Sequence, residues 1–196
     1  GSELVDSSVP NGSHFFIYGL QQEGNASYQT SYIPTYGSGV TRAADVCGGA
    51  GDANTFNSTE GVLYAEIASL VGDEAIGQIS VSNGSDNENV KILWLNANKI
   101  RLEVKTVSGT NFVKDINVER NGDFYKLAIQ YKSNDYKVYV NGISQAVSQV
   151  SSTPNGLIKL NFNRGDGSSV FYGNVKQVLT FNTALSNADL AALTTI

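Results

Sequence analysis

Few of the side chains that carry catalytic or metal chemistry occur in this chain. Its 196 residues include one cysteine and one histidine. The single cysteine, Cys47, excludes an intrachain disulfide, and we expect its side chain to be buried as a small hydrophobic group. The single histidine excludes a zinc site built from several Cys and His ligands. Because His14 lies beside an apolar segment, we interpret it as structural rather than as the base of a nucleophile system.

Charged side chains and long apolar runs are also scarce. Only 16% of the residues are charged, and the net charge is −5 with a pI near 4.8. A nucleic-acid partner requires clustered Lys and Arg, whereas the 13 basic residues are spread along this chain. No apolar run approaches the roughly 20 residues that span a bilayer. We therefore expect neither nucleic-acid binding nor membrane insertion.

Glycine and tyrosine, by contrast, are plentiful, with 20 and 10 residues. This composition favours strands joined by tight turns over helices. Ile100, Leu102 and Val104 alternate with charged residues, which is typical of a half-buried antiparallel strand. Such patterns follow one another from Gly61 onward at a spacing of roughly 8–12 residues, with turn signals between them. The sequence therefore predicts an all-β sandwich.

The chain is predicted to hold one domain. Residues 1–13 begin with a Gly-Ser pair typical of a cloning remnant, and we interpret them as a linker or arm. Residues 14–196 are predicted to form a single β-sandwich, because about 200 residues is a usual length for one such domain. Its first strand is expected at 14–18. Residues 41–60, rich in Gly, Asn, Asp and Ala, are predicted to form a long surface loop.

Two local signals mark the second half of the chain. Asn141-Gly142 predicts a type I′ hairpin turn, because both central positions of that turn need positive φ. Ser186 is a favourable N-cap for the one short helix, which lies at the C-terminus. Leu185 and Leu190 are spaced as a hydrophobic staple across this cap. We expect the helix to pack over an open edge or end of the sandwich.

The order of these elements resembles a known architecture. Two alternating strands at 125–131 and 136–140 precede the Asn-Gly turn, and a glycine-marked strand at 171–181 precedes the capped helix. Over residues 61–193 this order resembles the laminin-G-like, or concanavalin A-like, lectin and glucanase superfamily. The resemblance implies a two-sheet antiparallel jelly-roll sandwich with one short C-terminal helix. It also implies frequent glycan binding, often on a sheet face or at loop edges.

A second resemblance concerns residues 28–46, a Tyr-rich segment that contains Tyr32, Pro34 and Tyr36. It resembles segments that precede lectin-like domains in bacteriophage tail and virion proteins, and segments of some secreted bacterial proteins. From its residues alone it is interpreted as an extended strand leading into a polar loop. The resemblance suggests a setting for the domain but no chemistry.

Paired carboxylates for glycoside hydrolysis are not found in the sequence. A glycosidase needs two carboxylates flanking the scissile bond, and the glucanase branch implies a Glu-x-Asp-x-x-Glu strand that this sequence lacks. Glu66 is alone in its strand. The segment around Gln78-Ile79 is similar to a strand of jelly-roll alginate lyases, but the histidine of that strand is missing. We therefore predict that the chain is not an enzyme.

Oxygen-bearing side chains are concentrated in two polar segments and raise the question of calcium. Asp52, Asn54 and Glu60 lie in one segment and Asp166 in another. Ca²⁺ takes six to eight oxygen ligands, but the spacing here matches no EF-hand loop, and acidic loops are commonly just solvated. A bound calcium ion is an open expectation, with these four residues as candidate ligands.

Sugar recognition requires an aromatic face and planar polar side chains. Trp94 lies within an apolar run and is interpreted as a core residue. Three tyrosines and several polar residues near strand ends and turns are better placed for a ligand. The candidate ligand-binding residues are Tyr32, Tyr36, Asn161, Asn163, Arg164, Tyr172 and Asn174.

These features predict a non-catalytic, lectin-like carbohydrate-binding module. The first hypothesis places it in a phage virion, as part of a tail-fibre receptor-binding protein whose partner is a surface glycan or polysaccharide. Phage fibres are commonly trimeric, so a homotrimer is one expectation. Two alternatives stay open: a carbohydrate-binding module of a secreted bacterial glycan-degrading enzyme, and a structural virion or oligomerisation domain that binds no sugar. The expected location is the virion or the extracellular space.

Overall fold

The computed structural model describes residues 32, 34, 38–40, 47–69, 77–96, 98–119 and 121–196. The chain divides into two units, Gly1–Asp45 and Val46–Ile196. All the strands and the helix that can be described belong to the second unit. The predicted first strand at 14–18, His14 and Tyr36 lie outside the described residues, so those expectations stay predictions, as does the single domain 14–196.

The second unit consists of strands and a short helix at its C-terminal end. The elements are β1 (Gly48–Ala50), β2 (Glu60–Ala68), β3 (Gly77–Ser82), β4 (Asn89–Asn96), β5 (Lys99–Thr106), β6 (Gly109–Asn117), β7 (Tyr125–Lys132), β8 (Tyr136–Val140), β9 (Ile143–Ser148), β10 (Lys159–Asn161), β11 (Asn174–Phe181) and α1 (Asn187–Thr194). The strands form a six-stranded sheet in the order β1-β10-β3-β4-β5-β6 and a five-stranded sheet in the order β11-β2-β7-β8-β9. All neighbouring strands pair antiparallel. The predicted all-β, two-sheet antiparallel sandwich with one short C-terminal helix is confirmed.

Strand alternation places the core between the two sheets. In β4, the side chains of Val90, Ile92 and Trp94 enter the core and are at most 1% exposed. Successive side chains of a strand point to opposite faces, so Lys91 lies on the outer face of the six-stranded sheet. Trp94 is a core residue, as its apolar neighbours predicted.

Strand β2 is buried on both faces. Leu63, Ala65 and Ile67 belong to the core between the sheets. Val62 and Tyr64 point the other way and pack under the C-terminal helix. Two covered faces explain why this strand reads as a nearly continuous apolar run instead of an alternating one.

The helix α1 begins and packs through local signals. Ser186 is its N-cap and accepts a hydrogen bond from the Asp189 amide at 3.1 Å. Leu185 and Leu190 join the same apolar cluster, as the predicted staple requires. The expected edge position is met only in part: α1 contacts the edge strand β9, but it also lies against β7 and β8 on the outer face of the five-stranded sheet. It does so because that face offers the apolar side chains with which Leu190 packs.

Two further expectations can be compared with the structure. The Asn141-Gly142 hairpin is confirmed, with φ of 48° and 81° at the two residues. The burial expected for Cys47 is wrong, because this residue is exposed. It directly precedes β1, a three-residue edge strand whose residues are all exposed, so no neighbour covers the thiol. β1 itself lies inside the stretch that was predicted to be loop.

No helix among the described residues is both long enough and apolar enough to cross a membrane.

Candidate functional site

The segment between β10 and β11, residues 162–173, is here called the β10–β11 loop. It lies along β3 over the length of that strand. The Ser80 hydroxyl donates to the Asn163 carbonyl at 2.7 Å, and the Gln78 amide donates to the Ser169 carbonyl at 3.3 Å. A Cβ at Gly165 would lie 2.6 Å from Ser82 Oγ, so only glycine allows this close approach. The loop thus brings Asn163, Arg164, Asp166 and Tyr172 beside one strand.

The side-chain oxygens of Asn161 and Asn163 accept hydrogen bonds from backbone amides. Asn161 is 5% exposed, and its Oδ1 accepts a hydrogen bond of 2.7 Å from the Gly49 amide. This contact holds β1 on the sheet. Asn163 Oδ1 accepts a hydrogen bond of 2.8 Å from the Gly165 amide, which closes a turn within the loop. Both predicted ligand residues therefore have structural contacts in this conformation.

Arg164 and Asp166 pair with each other across the same turn. The Asp166 Oδ2 atom accepts from Arg164 Nη2 at 2.9 Å and from Nε at 3.2 Å. Asp166 Oδ1 accepts from the Ser168 amide and hydroxyl at 2.9 and 2.7 Å. The Arg164 guanidinium, followed by the Ser168 hydrogen bonds, holds the pKa of Asp166 well below its ordinary value. The charges of this turn therefore largely satisfy one another.

The predicted tyrosines and Asn174 lie in different places. Tyr172 is 48% exposed at the end of the β10–β11 loop, next to the first residue of β3. Asn174 is exposed and begins β11 in the other sheet. Tyr32 is also 48% exposed but belongs to the first unit. Tyr172 is thus the predicted aromatic that the structure leaves exposed beside the sandwich.

The outer face of the six-stranded sheet carries a network of ion pairs. Lys91 contacts Asp86 and Glu103 at 3.1 Å each, and Lys105 contacts Asp86 at 2.8 Å. Lys91 and Glu103 are buried. Because each charge already has a partner of opposite sign, this face supplies few unsatisfied groups to a ligand.

A cleft at one end of the sandwich is lined by uncharged side chains instead. Its volume is about 410 Å³, near the lower end of the range of roughly 300–1,000 Å³ usual for small-molecule sites. Three stretches that are distant in sequence form it, and we call it the amide cleft because four asparagines line it. The lining residues are Ala53, Asn54, Phe56, Asn57, Ser58, Asn155, Gly156, Leu157 and Asn182.

Long-range hydrogen bonds hold the walls of the amide cleft together. Asn57 Nδ2 donates to the Asn182 carbonyl at 3.0 Å, and the Leu157 amide donates to Ser58 Oγ at 3.0 Å. The Tyr131 hydroxyl, at the end of β7, donates to the Asn57 carbonyl at 2.6 Å. Burial raises the pKa of Tyr131, so the phenol stays protonated and keeps this hydrogen bond. The walls are therefore fixed to the rigid sheet.

The floor of the amide cleft is apolar and continuous with the core. Phe56 is 7% exposed and Leu157 is 1% exposed, and both belong to the main core cluster. The rim, by contrast, offers amide groups without partners. The side-chain amides of Asn155 and Asn182 make no hydrogen bond to any described residue, whereas the Asn54 side chain hydrogen-bonds to Asp52. The cleft therefore combines an apolar base with two unengaged donor–acceptor groups.

Two carboxylates support the rim from behind. Asp52 Oδ1 accepts hydrogen bonds of 2.9 Å from the Asn54 and Thr55 amides. The Thr55 hydroxyl and amide lower the pKa of Asp52 below its ordinary value. Glu88, 5% exposed, accepts from the Asn155 amide at 2.7 Å and from the Val107 amide at 3.1 Å. These carboxylates fix the backbone on which the rim amides stand.

The four candidate calcium ligands lie in three settings. Asp52 and Asn54 share the turn at the cleft rim. Glu60 begins β2, pairs with Lys132 at 2.9 Å and accepts from the Ala184 amide, while Asp166 lies in the β10–β11 loop. Among the described residues no group of three or more His, Cys, Asp or Glu side chains could hold a metal ion. A cation at Glu60 or Asp166 would have to replace Lys132 or Arg164, so calcium stays a prediction.

Sequence reasoning missed Asn155 and Asn182, the two unengaged amides of the cleft. Asn155 lies between Pro154 and Gly156, a signal that predicts a turn but no ligand contact, and Asn182 stands in no motif. They meet the 53–58 stretch because both sheets end there, through contacts 99 and 125 residues apart in sequence. A local pattern carries no information on contacts of that range.

Comparisons with known proteins agree with this architecture. The family model Laminin_G_3, described as the concanavalin A-like lectin/glucanases superfamily, matches residues 66–191. That stretch is more than half of the chain and lies within the region where the resemblance was identified. No curated protein matches the chain.

Solved structures share the fold at low identity. The CBM40 domain of an IT-sialidase from Ruminococcus gnavus, bound to α2,3-sialyllactose, has a TM-score of 0.60 at 17% identity over 77% of this chain and 95% of that chain. A leech intramolecular trans-sialidase gives 0.58 at 16% identity, over 77% of this chain and 26% of that chain. A SAP-like pentraxin from Limulus polyphemus gives 0.53 at 12% identity, over 70% of each chain. At these identities the likeness shows the fold alone.

Proposed function

The chain belongs to the concanavalin A-like lectin/glucanase superfamily, and from that premise we propose that it is a non-catalytic carbohydrate-binding module. The observation that carries the proposal is the amide cleft. Its floor of Phe56 and Leu157 and its rim of Asn54, Asn155 and Asn182 combine two kinds of surface in a single cavity.

A sugar ring needs both kinds of surface. Its C–H groups favour an apolar partner, which the cleft floor supplies. Each hydroxyl is at once a donor and an acceptor, and a carboxamide offers an NH₂ donor beside a carbonyl acceptor. Because the rim amides of Asn155 and Asn182 have no hydrogen-bond partner among the described residues, binding at these two side chains would not have to break contacts within the protein.

The same cleft supports binding without catalysis. Glycoside hydrolysis requires two carboxylates on either side of the bond that breaks, and none of the nine lining residues has a carboxylate. The nearby Glu88 is buried and already accepts two backbone hydrogen bonds. We expect no turnover of oligosaccharides or polysaccharides.

Two settings for the module fit this proposal. The R. gnavus CBM40 domain is part of a sialidase and binds sialyllactose, which favours a module of a secreted glycan-degrading enzyme. The resemblance of residues 28–46 to segments of phage proteins favours a virion receptor-binding protein. Both settings place the domain outside a cell. The mass of the full chain in solution separates them, because a fibre domain is expected to be trimeric.

A glycan array tests the proposed function directly. The full chain is applied with calcium and again with chelator, beside the double variant Asn155→Ala/Asn182→Ala. The matched control is Asn117→Ala, because Asn117 is an exposed asparagine at the end of β6 that is not part of the cleft. Saturable binding by the wild type and the control, with loss in the double variant, is the expected result. Loss of binding with chelator would indicate calcium, and absence of binding to every glycan would overturn the proposal.

A further inference from the structure

The amide cleft differs from the outer sheet face in one respect that bears on its ligand. None of its nine lining residues, all within the described part of the chain, has an ionisable side chain. An acidic sugar needs a cation or a converging set of donors to hold its carboxylate. The chain has 13 Lys and Arg residues, so their absence from this lining bears directly on selectivity.

Two carboxylates hydrogen-bond directly to the backbone of the cleft lining. Asp52 and Glu88 bind the backbone amides of the lining residues Asn54 and Asn155, at 2.9 and 2.7 Å. Neither carboxylate forms an ion pair with any described residue. Both therefore contribute negative potential near the rim that no direct ion pair among the described residues offsets. Glu60 also lies close, since it accepts from the Ala184 amide two residues beyond Asn182, but Lys132 neutralises it.

Such a potential acts differently on two classes of sugar. An uncharged hydroxyl hydrogen-bonds to a carboxamide in either direction, so the free amides of Asn155 and Asn182 accept neutral sugars in several orientations. A sugar carboxylate can only accept, and it is repelled by Asp52 and Glu88. The selectivity therefore combines attractive contacts to one class with repulsion of the other.

Resting on the proposed glycan binding, we propose that the amide cleft selects neutral sugar units and rejects sugars that carry a carboxylate. This preference would set the chain apart from the R. gnavus CBM40 domain, whose ligand is a sialylated trisaccharide. It follows from residues of this chain and not from the shared fold.

The test uses pairs of glycosides that differ at one carbon. Methyl β-glucoside is compared with methyl β-glucuronide, and methyl β-galactoside with methyl β-galacturonide, by following ¹H–¹⁵N chemical shifts of the full chain. The neutral member of at least one pair should shift the amide signals of Asn155 and Asn182. Its dissociation constant should be at least tenfold lower than that of its acidic partner.

A charge variant tests the physical cause. Asp52→Asn keeps an Oδ1 acceptor for the Asn54 and Thr55 amides and removes one negative charge. In this variant the ratio of the dissociation constants of the acidic and neutral glycosides should fall about threefold. Raising NaCl from 20 to 500 mM should lower the same ratio in the wild type. The matched control is Asp123→Asn, because Asp123 precedes the start of β7 while the cleft lies at the other end of that strand.

The outcomes separate this inference from the proposed function. Acidic glycosides that bind as tightly as neutral ones, or neutral binding that shifts signals outside the cleft, would overturn the inference and leave a glycan-binding module. If Asp52→Asn leaves the ratio of the acidic and neutral dissociation constants unchanged, the electrostatic explanation is overturned. If no glycoside binds and the array is also empty, the proposed function itself fails.

Discussion

The amide cleft and the β10–β11 loop are built from the same types of residue but differ in what those residues leave free. In the loop, Asn163 hydrogen-bonds to the Gly165 amide, and Asp166 binds Arg164 and Ser168. In the cleft, the side-chain amides of Asn155 and Asn182 have no partner among the described residues. Local turns thus use up the polar groups of a contiguous loop, whereas a cleft assembled from distant segments leaves its groups directed at a ligand.

The two regions also differ in what lies beneath them. The cleft rests on Phe56 and Leu157, which belong to the core, so its floor is as rigid as the sandwich. The loop ends at Tyr172, whose side chain is half exposed. A preformed apolar floor lowers the entropy that binding must overcome. This difference favours the cleft as the binding region and the loop as a structural strap along β3.

Replacement of the cleft floor should produce the largest effect. Phe56→Ala removes a buried aromatic ring and should lower the free energy of unfolding by about 3–5 kcal/mol, with loss of glycan binding. Tyr172→Ala in the loop should cost less than about 1 kcal/mol, because the ring is half exposed. Urea unfolding of both variants measures the difference. Equal losses of unfolding free energy in the two variants would mean that Tyr172 supports the core as much as Phe56 does.

Because Phe56→Ala can fail to fold, Phe56→Leu is its conservative companion. This variant keeps most of the buried apolar volume and should fold, with a loss of about 1–2 kcal/mol. Its glycan affinity should fall less than that of Phe56→Ala, since an apolar floor remains. Unchanged affinity in a folded Phe56→Ala protein would contradict a role for the floor.

The support behind the rim should give the next largest effect. The two carboxylate oxygens of Glu88 accept hydrogen bonds from the backbone amides of Val107 and Asn155. Glu88→Gln keeps only one of these acceptor oxygens. Because Val107 and Asn155 are exposed residues, the N–H left without this partner can bond to water, and the loss should be about 1 kcal/mol, with a looser Asn155 side of the cleft. Urea unfolding measures the loss of unfolding free energy. A weaker affinity for a neutral glycoside would show that the Asn155 side of the cleft has loosened. A stable variant with full affinity would show that Glu88 does not position the rim.

Replacement of the rim asparagines should weaken binding, whereas replacement of a loop asparagine should lower stability. Asn155→Ala/Asn182→Ala should weaken glycan binding by tenfold or more and change unfolding little, because neither side chain bonds to described residues and neither has positive φ. Asn163→Ala should do the reverse and cost about 1 kcal/mol of stability through its lost turn hydrogen bond. Calorimetric titration and thermal unfolding of the two proteins measure both quantities. Weaker binding in Asn163→Ala would move the binding region to the loop.

Sequence patterns predicted the sandwich because its strands and turns are encoded locally. Alternation revealed strands such as β5 and β7, and positive φ at Asn141 and Gly142 follows from the residue types. The contact of α1 with the sheet face beyond the edge strand β9 was missed, because it depends on which outer face is apolar after the strands have paired. The exposure of Cys47 was missed because β1, at three residues, is too short to show a period.

The candidate site was less predictable than the fold for a related reason. Asn161 and Asn163 were recognised as polar residues at a strand end, yet the sequence does not tell which backbone amide each side chain will meet. Asn54 was selected for its oxygen and does line the cleft. The Pro-Asn-Gly sequence around Asn155 marks a turn but not a site, and the role of Asn155 and Asn182 comes from sheet ends that converge only in the folded chain.

The charges of the loop should have the smallest effect, and one that depends on pH. The pKa of Asp166 is lowered in the folded chain, chiefly by Arg164, so the ionised form stabilises the fold at pH values above the ordinary Asp value of about 3.9. That contribution is lost as the pH falls below about 4, toward the folded pKa. Because Asp166 is exposed to solvent, Asp166→Asn should cost less than about 1 kcal/mol at pH 7. Urea unfolding of the wild type and the variant between pH 7 and pH 3 should show this difference shrinking at the acid end. A difference that is constant with pH would mean that the turn depends on the shape of the side chain and not on its charge.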